Sequence, residues 1–399
     1  MSHAHAAAAL VLEPPRPAAG PSAASPIAVE LRRDLDLNPD DAAAFDRMLA
    51  ARPEISVFLS RAWLSGFFVD PPAGMEPALV TIRQGQVLRG LVPLAIGKTL
   101  GCTTVSLLGG AYGSDRVDLL SARGFETATS DAFVKWMAGS FAGDGLLLEL
   151  RDVPSNSALW GAIQRATDEG ILRGAVQPRE IAALPYLDLK ERSSAIPSNA
   201  PATLTARSLE KHRRWLDRRC ELRIDVLATR DEVMEAFGSL VSFLHRRWRG
   251  TPDGSVLDDP RTRRFHEHAL PRLLEAGCLR MIRLSAGGDR TIAVFYGMAR
   301  GSWWGYYLCG YDAEWAGRIH LGQVTLDAAI AIARQEGAAE FDFLKGAHRN
   351  KYAWPVRERA TFDADLFSGH RRVQLIRAAR AGRDAVAAAR KAVRGVVSS

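Results

Sequence analysis

Residues 341–354, FDFLKGAHRNKYAW, begin with the pattern of a strand and end as a basic loop among aromatic residues. The first four form an apolar run with one acid inside it, which is typical of a buried strand. The run stops at Lys345-Gly346, a pair that favours a turn, and the loop beyond it carries Lys351. The segment therefore predicts a buried strand that leads directly into a polar loop.

The segments before this strand alternate between strand and helix patterns. Residues 302–311 have the composition of a strand, and residues 321–337 place apolar side chains at helical spacing before Gly337. Farther back, two helices over 230–248 and 260–276 follow one strand and precede two more. This order of β-α-α-β-β-β-α-β predicts a mixed α/β domain, and the first half of the chain repeats the order in degenerate form.

The length of the chain indicates more than one core. At 399 residues it exceeds one ordinary hydrophobic core, so two domains are expected. We predict an α/β (α+β, mixed-sheet) fold in two tandem domains. The predicted segments are a disordered Ala/Pro-rich tail at 1–27, a first domain at 28–189, a polar linker at 190–202, a second domain at 203–368 and a basic amphipathic helical tail at 369–399.

The positive charge is confined to the C-terminal tail. The net charge is +7, and residues 369–399 hold seven Arg and one Lys against Asp384 alone. This distribution excludes a basic DNA-binding core. The tail suits weak contact with an anionic membrane surface or a partner protein through 370–397, although packing on the protein itself or disorder fits equally well.

Cysteine usage and apolar runs indicate the compartment. The four cysteines form no CxxC pair, so free thiols in a reducing cytoplasm fit and a metal site is not expected. The N-terminus lacks the basic segment of a secretion signal, and the apolar runs are too short to span a membrane. We predict a cytoplasmic protein, with peripheral attachment to the inner membrane left open by the tail.

The helix that starts near Leu321-Gly322 is a candidate anion site. The first amides of a helix have no intrahelical acceptor and lie at the positive end of its dipole. Arg318, just before the helix, adds a full charge. This combination suits a phosphate or pyrophosphate, and the alternative is an ordinary helix start that binds nothing.

Several segments together resemble a known superfamily. They are the basic helix ARSLEKHRRWLDR at 206–218, the run TIAVFYGMARGSWWGYYLCGYDAEWA at 291–316, and FDFLKG at 341–346 followed by Lys351. In this order they resemble the GNAT superfamily, specifically tandem-GNAT acyltransferases related to Fem-type peptidyltransferases and to CelD-like acetyltransferases of cellulose biosynthesis. The resemblance covers roughly residues 45–367.

The resemblance implies two tandem GNAT-like acyl-CoA N-acyltransferase domains and direct in-line acyl transfer without a metal. The donor would be acetyl-CoA or another acyl-CoA, lying where two parallel strands separate, with its phosphates at the start of the following helix. No covalent nucleophile is needed, so Cys309 also fits as a strand-packing thiol. The residues implied to bind the donor are Tyr307, Cys309, Arg318, Leu321, Gly322, Gln323, Lys345 and Gly346.

The loop after the strand departs from the family pattern. Relatives usually carry an acidic Gly-Asp-Glu segment and then Tyr-Lys, whereas this chain has Ala347-His348 after the glycine and Asn350 before Lys351. Lys351 lines up as an anchor for a substrate or donor anion. His348 is the candidate general base in place of the missing carboxylates, since imidazole titrates near working pH. The alternative is a loop that survives as a structural or binding remnant.

Three residues are candidates for the acceptor side. His245 and Trp248 end a helix near the place where such folds hold the acceptor, and Arg214 lies in the basic helix. The basic helix could recognise an anionic glycan, a nucleotide-sugar or a tRNA acceptor. A helix-terminal histidine that contacts backbone carbonyls and a solvated basic face are the alternatives.

The sequence therefore predicts an acyltransferase, with acetyl-CoA as the favoured donor and an N-acetyl product. Its expected acceptor is a small molecule or glycan precursor in the synthesis of cell-surface polysaccharide or the envelope. One alternative is an aminoacyl-tRNA-dependent Fem-type peptidyltransferase, although the short insert GTPDGSVLDDP leaves no room for the coiled-coil arm that such relatives often carry. The other is a non-catalytic scaffold or regulatory subunit of a polysaccharide-synthesis complex.

Overall fold

The structure is a computed structural model of the 399-residue chain. The residues it describes are 25–52, 57–109, 113–141, 143–190, 206–251, 254–315, 319–346 and 351–382. The predicted N-terminal tail up to residue 24, the linker from residue 191 and the tail beyond residue 382 lie outside them, and so do Arg318 and His348. Predictions about those segments stay predictions.

The first half of the chain contains seven strands and four helices within the described ranges. They are β1 (Ile27–Arg32), α1 (Pro39–Ala50), α2 (Arg61–Val69), β2 (Met75–Gln84), β3 (Val87–Thr99), β4 (Cys102–Leu107), β5 (Leu120–Ser121), α3 (Glu126–Ser140), β6 (Leu146–Pro154), α4 (Ala158–Asp168) and β7 (Gly174–Asp188).

The second half has a similar order of elements. Its described elements are α5 (Ala206–Cys220), β8 (Arg223–Val226), α6 (Arg230–Trp248), α7 (Pro260–Glu275), β9 (Leu279–Ala286), β10 (Arg290–Arg300), β11 (Trp303–Tyr311), α8 (Leu321–Gln335), β12 (Glu340–Asp342), β13 (Arg357–Ser368) and α9 (371–382). The similar order runs from β8 to β12, preceded by a helix and without counterparts of β5 and α4 among the described elements of this half. The predicted repeat of β-α-α-β-β-β-α-β is confirmed.

Local sequence signals explain where the helices begin and end. The side chain of Asn38 accepts a hydrogen bond from the backbone of Asp41 at the start of α1, with a proline in the first turn. Thr229 and Glu232 form a reciprocal capping box at the start of α6. The chain leaves α8 through Gly337, whose φ of 78° is the left-handed conformation that glycine favours.

All of the strands above belong to one sheet. Its order is β1-β2-β3-β4-β6-β13-β7-β12-β11-β10-β9-β8, and the short β5 pairs with β3. Each half contains one parallel pair, β4 with β6 and β11 with β12. The last strands are exchanged, because β13 of the second half lies between β6 and β7, and β7 of the first half lies beside β12. We call the region of β6, β13, β7 and β12 the junction.

Helices cover both faces of the second half of the sheet. α6 and α7 lie on one face together with α2 of the first half, whose Trp63 ring centroid is 4.9 Å from that of Phe265 in α7. α5 and α8 lie on the other face, around Leu209, Leu216 and Phe341. The first half therefore contributes directly to one face of the second.

Helix α9 packs on the sheet of the first half. Val373 and Ile376 are buried beside Cys102, and the guanidinium of Arg380 lies 2.5 Å from the carboxylate of Glu149. Packing of the tail on the protein, one of the alternatives above, is thus observed for residues up to 382. Within the part of the chain that the structure describes, no helix is both long and apolar enough to cross a membrane.

Candidate active site

The parallel strands β11 and β12 separate after a short paired stretch. Pairing ends at Gly305 with Asp342, and β11 continues to Tyr311 while the chain leaves β12. Helix α8 begins at the far end of β11, where a Cβ atom placed on Gly322 would lie 2.8 Å from the ring of Tyr311. The end of the pairing and the start of α8 lie where the sequence predicts the donor, and that placement of the donor stays a prediction.

The first turn of α8 keeps the features expected of an anion site. His320 precedes the helix without a side-chain cap, so its first amides have no capping side chain. Leu321 is buried, and the Oε1 atom of Gln323 is buried without a hydrogen-bond donor among the described residues. The guanidinium of Arg247 lies 5.0 Å from the centroid of the Tyr311 ring and places a cation near this turn. The donor-binding roles stay predictions.

The two predicted donor residues on β11 have different surroundings. Cys309 is buried and burial raises its pKa to about 12, so it is a neutral packing thiol, the alternative raised above. Tyr307 packs against the opposite face of the sheet from α8, with its ring centroid 5.5 Å from that of Trp63 in α2. The neighbouring Tyr306 belongs to the face that α8 covers. Tyr307 is therefore not brought to the start of α8.

Lys351 is buried and bonded to the backbone at the end of β12. It is 4% exposed, and its Nζ donates to the carbonyls of Phe343 (2.7 Å), Leu344 (3.2 Å) and Lys345 (2.7 Å). Burial lowers its pKa to about 8. All three N–H groups serve the backbone, so this geometry would have to change before Lys351 contacted a substrate anion. Its predicted anchor role stays a prediction.

Asp115, a residue of the first half, faces the backbone at the end of β12. Asp115 is 3% exposed, and its Oδ2 accepts a hydrogen bond of 2.6 Å from the amide of Lys345. Burial, reinforced by the charge of Asp152, raises the pKa of Asp115 to about 7. A carboxyl group that titrates near neutral pH at the end of β12 has the properties of a general base.

The side chain of Lys345 joins the two halves at this point. Its Nζ lies 2.7 Å from Oδ2 of Asp152, and Oδ1 of the same carboxylate accepts a hydrogen bond of 3.1 Å from the hydroxyl of Thr361 on β13. Burial acts to lower the pKa of Lys345, but the hydrogen bond to Asp152 and the charges of nearby carboxylates outweigh burial and raise this pKa. Lys345 therefore remains a cation, and Gly346, with φ of 102°, leads the chain away from it.

A buried ion pair lies beside these groups. Nη2 of Arg116 is 2.5 Å from Oδ2 of Asp342, and both side chains are almost fully buried. Arg116 and Asp152 have φ values of 55° and 54°, the left-handed region that non-glycine residues seldom adopt. Such conformations cost energy and cluster at functional sites. The surroundings of Asp115 thus combine buried charge with two unusual backbone conformations.

A histidine that the sequence did not single out as functional lies under Tyr307. His266 of α7 is fully buried, with Nε2 3.4 Å from the hydroxyl of Tyr307 and Nδ1 3.4 Å from that of Tyr296. Burial lowers its pKa to about 3, so the ring is neutral. Burial raises the pKa of the Tyr307 phenol well above its usual value, and the nearby charge of Asp115 adds to this shift, so the network lies close to Asp115.

The predicted acceptor residues lie apart. Nδ1 of His245 is 2.9 Å from the carboxylate of Asp258, and Trp248 is 37% exposed, both at the end of α6. Arg214 belongs to α5 on the other face of the sheet and pairs with Glu210 at 2.7 Å. The structure therefore does not bring Arg214 together with His245 and Trp248, and a common acceptor site for the three is not formed.

Asp115 lies in the first half of the chain, where no catalytic residue was predicted from the sequence. The signal that could have found it is GSDRVD at 113–118, where three charged residues stand between apolar segments. The structure buries Ser114, Asp115, Arg116 and Asp118. Buried charges in a loop indicate a built polar site rather than a solvated connection.

Comparison with known proteins finds one family model that matches part of the chain. Residues 205–352 match the family described as Acetyltransferase (GNAT) domain. The match lies within the second half of the chain and shows what that half is similar to. No curated protein sequence shows significant similarity to the chain.

Two solved structures share the fold along most of their length. The crystal structure of FemX aligns with a TM-score of 0.56 at 10% identity, covering 87% of this chain and 99% of that one. The structure of L-PGS from Bacillus licheniformis aligns with a TM-score of 0.50 at 12% identity, covering 86% and 96%. Identities this low show a shared fold alone. The predicted fold of two tandem GNAT-like domains built on a mixed sheet is confirmed.

Proposed function

We propose that this protein is an acyltransferase that moves an acyl group, in the favoured form acetyl from CoA, to an amine or hydroxyl of a cell-surface polysaccharide or envelope precursor. The observation that carries the proposal is the separation of β11 from β12 beside the start of α8, within the residues that match the GNAT domain. The acyl thioester would lie in this gap, with the phosphates of CoA at the first amides of α8.

Asp115 is the general base of this proposal. The acceptor nitrogen or oxygen attacks the thioester carbonyl carbon, its proton passes to the carboxylate of Asp115, and the carbon–sulfur bond breaks to release CoA. A base with a pKa of about 7 is half-ionised at neutral pH and strong enough to accept the proton. The carboxylate of Asp115 thus replaces the acids that the loop after β12 lacks.

Binding of the donor is tested by thermal unfolding. Acetyl-CoA should raise the melting temperature of the wild type and leave that of Gly322→Asp unchanged, because the new carboxylate repels the phosphates and its Cβ meets the ring of Tyr311. Gly139→Asp is a matched control, since a Cβ at this helical glycine meets nothing within 4 Å. Absence of a shift with every acyl-CoA tried would refute the donor assignment.

The same thermal-unfolding experiment with acetyl-CoA distinguishes the proposal from two alternative functions. An aminoacyl-tRNA-dependent peptidyltransferase is the alternative that the shared fold with FemX favours, and it would bind aminoacyl-tRNA but not acetyl-CoA. A scaffold of a polysaccharide-synthesis complex would bind neither donor.

Transfer itself is tested with Asp115→Asn, which should keep acetyl-CoA binding and lose activity by about 100-fold or more, the usual contribution of a general base.

The location forms part of the proposal. We place the protein in the cytoplasm, with weak contact to the inner membrane or a partner protein through residues 370–397. The outward face of α9 supports this, since Leu375 is 68% exposed while Val373 and Ile376 face the sheet. Salt-sensitive co-sedimentation with phosphatidylglycerol vesicles is expected, and equal recovery with neutral phosphatidylcholine vesicles would contradict the membrane contact.

A further inference from the structure

Asp115 is the middle one of three consecutive buried residues. Ser114, Asp115 and Arg116 are each at most 3% exposed. Asp115 accepts its hydrogen bond from the amide of Lys345, and Arg116 pairs with Asp342. Both of these partners belong to the second half of the chain. The loop is therefore held against the end of β12 through two of its three buried residues.

The third of these residues, Ser114, is held by an indole from the first half. Nε1 of Trp63 in α2 donates a hydrogen bond of 2.7 Å to Oγ of Ser114, and both side chains are buried. An indole N–H in the interior needs such an acceptor, because an unpaired buried donor costs free energy. The amide of Ser114 also donates to the carbonyl of Gly109 at 3.0 Å. Ser114 is thus fixed through its side chain and its backbone.

Trp63 is itself held in one position. Its backbone amide donates to Oγ of Ser60, the residue that caps α2, at 3.2 Å. Its ring is fully buried and meets the rings of Phe58 and Phe265 edge-on, with centroids 5.3 Å and 4.9 Å away. Phe58 belongs to the first half and Phe265 to the second. An indole packed on several sides presents its N–H in a fixed direction.

We propose that Trp63 is a positioning residue that holds the carboxyl group of Asp115 in place through its hydrogen bond to Ser114. The inference rests on the proposed function, in which Asp115 takes the proton of the acceptor. A general base must stay within hydrogen-bond reach of that proton, so its loop has to be held still. The same bond keeps Asp115 away from water, and burial is the main cause of the raised pKa of Asp115.

The test removes either partner of the bond. Trp63→Phe keeps an aromatic ring but loses the N–H, and Ser114→Ala loses the acceptor. Each should lower kcat for acetyl transfer by about tenfold or more, since displacing a reacting group by about 1 Å can cost about 100-fold. KM for acetyl-CoA should not change. The double variant should lose no more than either single variant, because all three lack the same bond.

Two matched controls should keep the wild-type kcat. Trp160→Phe changes a tryptophan whose ring lies 4.6 Å from that of Phe362 on β13. Ser130→Ala changes a buried serine whose hydroxyl has no hydrogen-bond partner in the part of the chain that the structure describes. Neither substitution removes a hydrogen bond to the loop of Asp115.

A second measurement follows Asp115 without any transfer reaction. Because Asp115 titrates in the folded protein, the urea midpoint of the wild type should be lower at pH 8 than at pH 5. This difference should shrink in Trp63→Phe and in Ser114→Ala, since a carboxyl group that water reaches has a lower pKa. It should be unchanged in both controls. A merely structural role of the bond would lower the midpoint equally at the two pH values.

An unchanged difference between pH 5 and pH 8 in both single variants would overturn the positioning role. A double variant whose loss of kcat is the product of the two single losses would also overturn it. If Trp63→Phe does not fold, Ser114→Ala supplies the same comparison with a smaller change in volume. Absence of acetyl-CoA binding and transfer in the wild type refutes the proposed function alone, because the urea comparison still decides whether Trp63 holds Asp115.

Discussion

Replacing Asp115 with asparagine should stabilise the protein at high pH while removing its activity. The carboxyl group is buried beside Asp152, and its pKa in the folded protein is about 7 against 3.8 for the free side chain. Asparagine has the same shape and can accept the hydrogen bond from the amide of Lys345. The substitution therefore removes an unfavourable buried charge without removing the contact.

The sign and size of the change in the free energy of unfolding follow from the protons bound by the folded and unfolded states. The folded pKa is raised, so between about pH 4 and 7 the folded protein holds a proton that the unfolded chain has lost. The free energy of unfolding then falls by about 1.4 kcal/mol for each pH unit in this window, about 4 kcal/mol in all, and the loss is complete above about pH 8. The asparagine variant does not undergo this loss.

The assay is urea unfolding followed by tryptophan fluorescence and circular dichroism at pH 5 and pH 8. At pH 5 the variant should be more stable than the wild type by about 1.5 kcal/mol, and at pH 8 by about 4 kcal/mol, provided both probes give the same transition. Asp144→Asn is a control of the opposite sign, because the hydrogen bond to Lys98 lowers the pKa of Asp144. This variant should be less stable than the wild type by the same amount at pH 5 and at pH 8, since both lie above the titration range of Asp144. A stability difference for Asp115→Asn that does not change with pH would refute the reasoning.

Three further substitutions test the surroundings. Lys351→Met leaves three buried carbonyls without a donor and should lower the unfolding free energy by about 3 kcal/mol in urea titrations, whereas a loss below about 0.5 kcal/mol would contradict the observed bonding. Asp342→Asn leaves Arg116 buried and unpaired and should cost about 3–5 kcal/mol, with most stability regained by adding Arg116→Met; no recovery would argue against the pair. Gly322→Val places side-chain atoms against the ring of Tyr311 and should weaken acetyl-CoA binding in a thermal-shift titration, and unchanged affinity would exclude this turn from the donor site.

Much of the fold could be predicted because its signals are local. The apolar spacing over 321–337 predicted α8, which the structure forms from Leu321 to Gln335, and the apolar run at Phe341 predicted β12. The order of elements in the two halves likewise predicted a repeated mixed α/β fold. The exchange of β7 and β13 could not be predicted, because strand pairing between distant segments depends on the packing of the whole sheet.

The candidate site was only partly predictable for the same reason. The sequence indicated both Lys345 and Lys351 in the loop after β12. Nothing local indicates that Lys351 donates hydrogen bonds to three backbone carbonyls in the turn that contains Lys345. Tyr307 and Tyr306 are adjacent in sequence, and which of them faces α8 depends on the pleat of β11 and its bulge against β10. Sequence spacing gave no means of choosing between them.

The amino-acid sequence by itself determined the elements, the repeat and the superfamily resemblance, because helix caps, periodicity and motifs act over a few residues. Tertiary structure alone decided where the chemistry lies. It brought Asp115, 230 residues before Lys345, to the end of β12 and excluded water around it. Burial and the nearby charge of Asp152 raise the pKa of Asp115 to about 7, and both depend on atoms brought together by the whole fold rather than on neighbours in the chain.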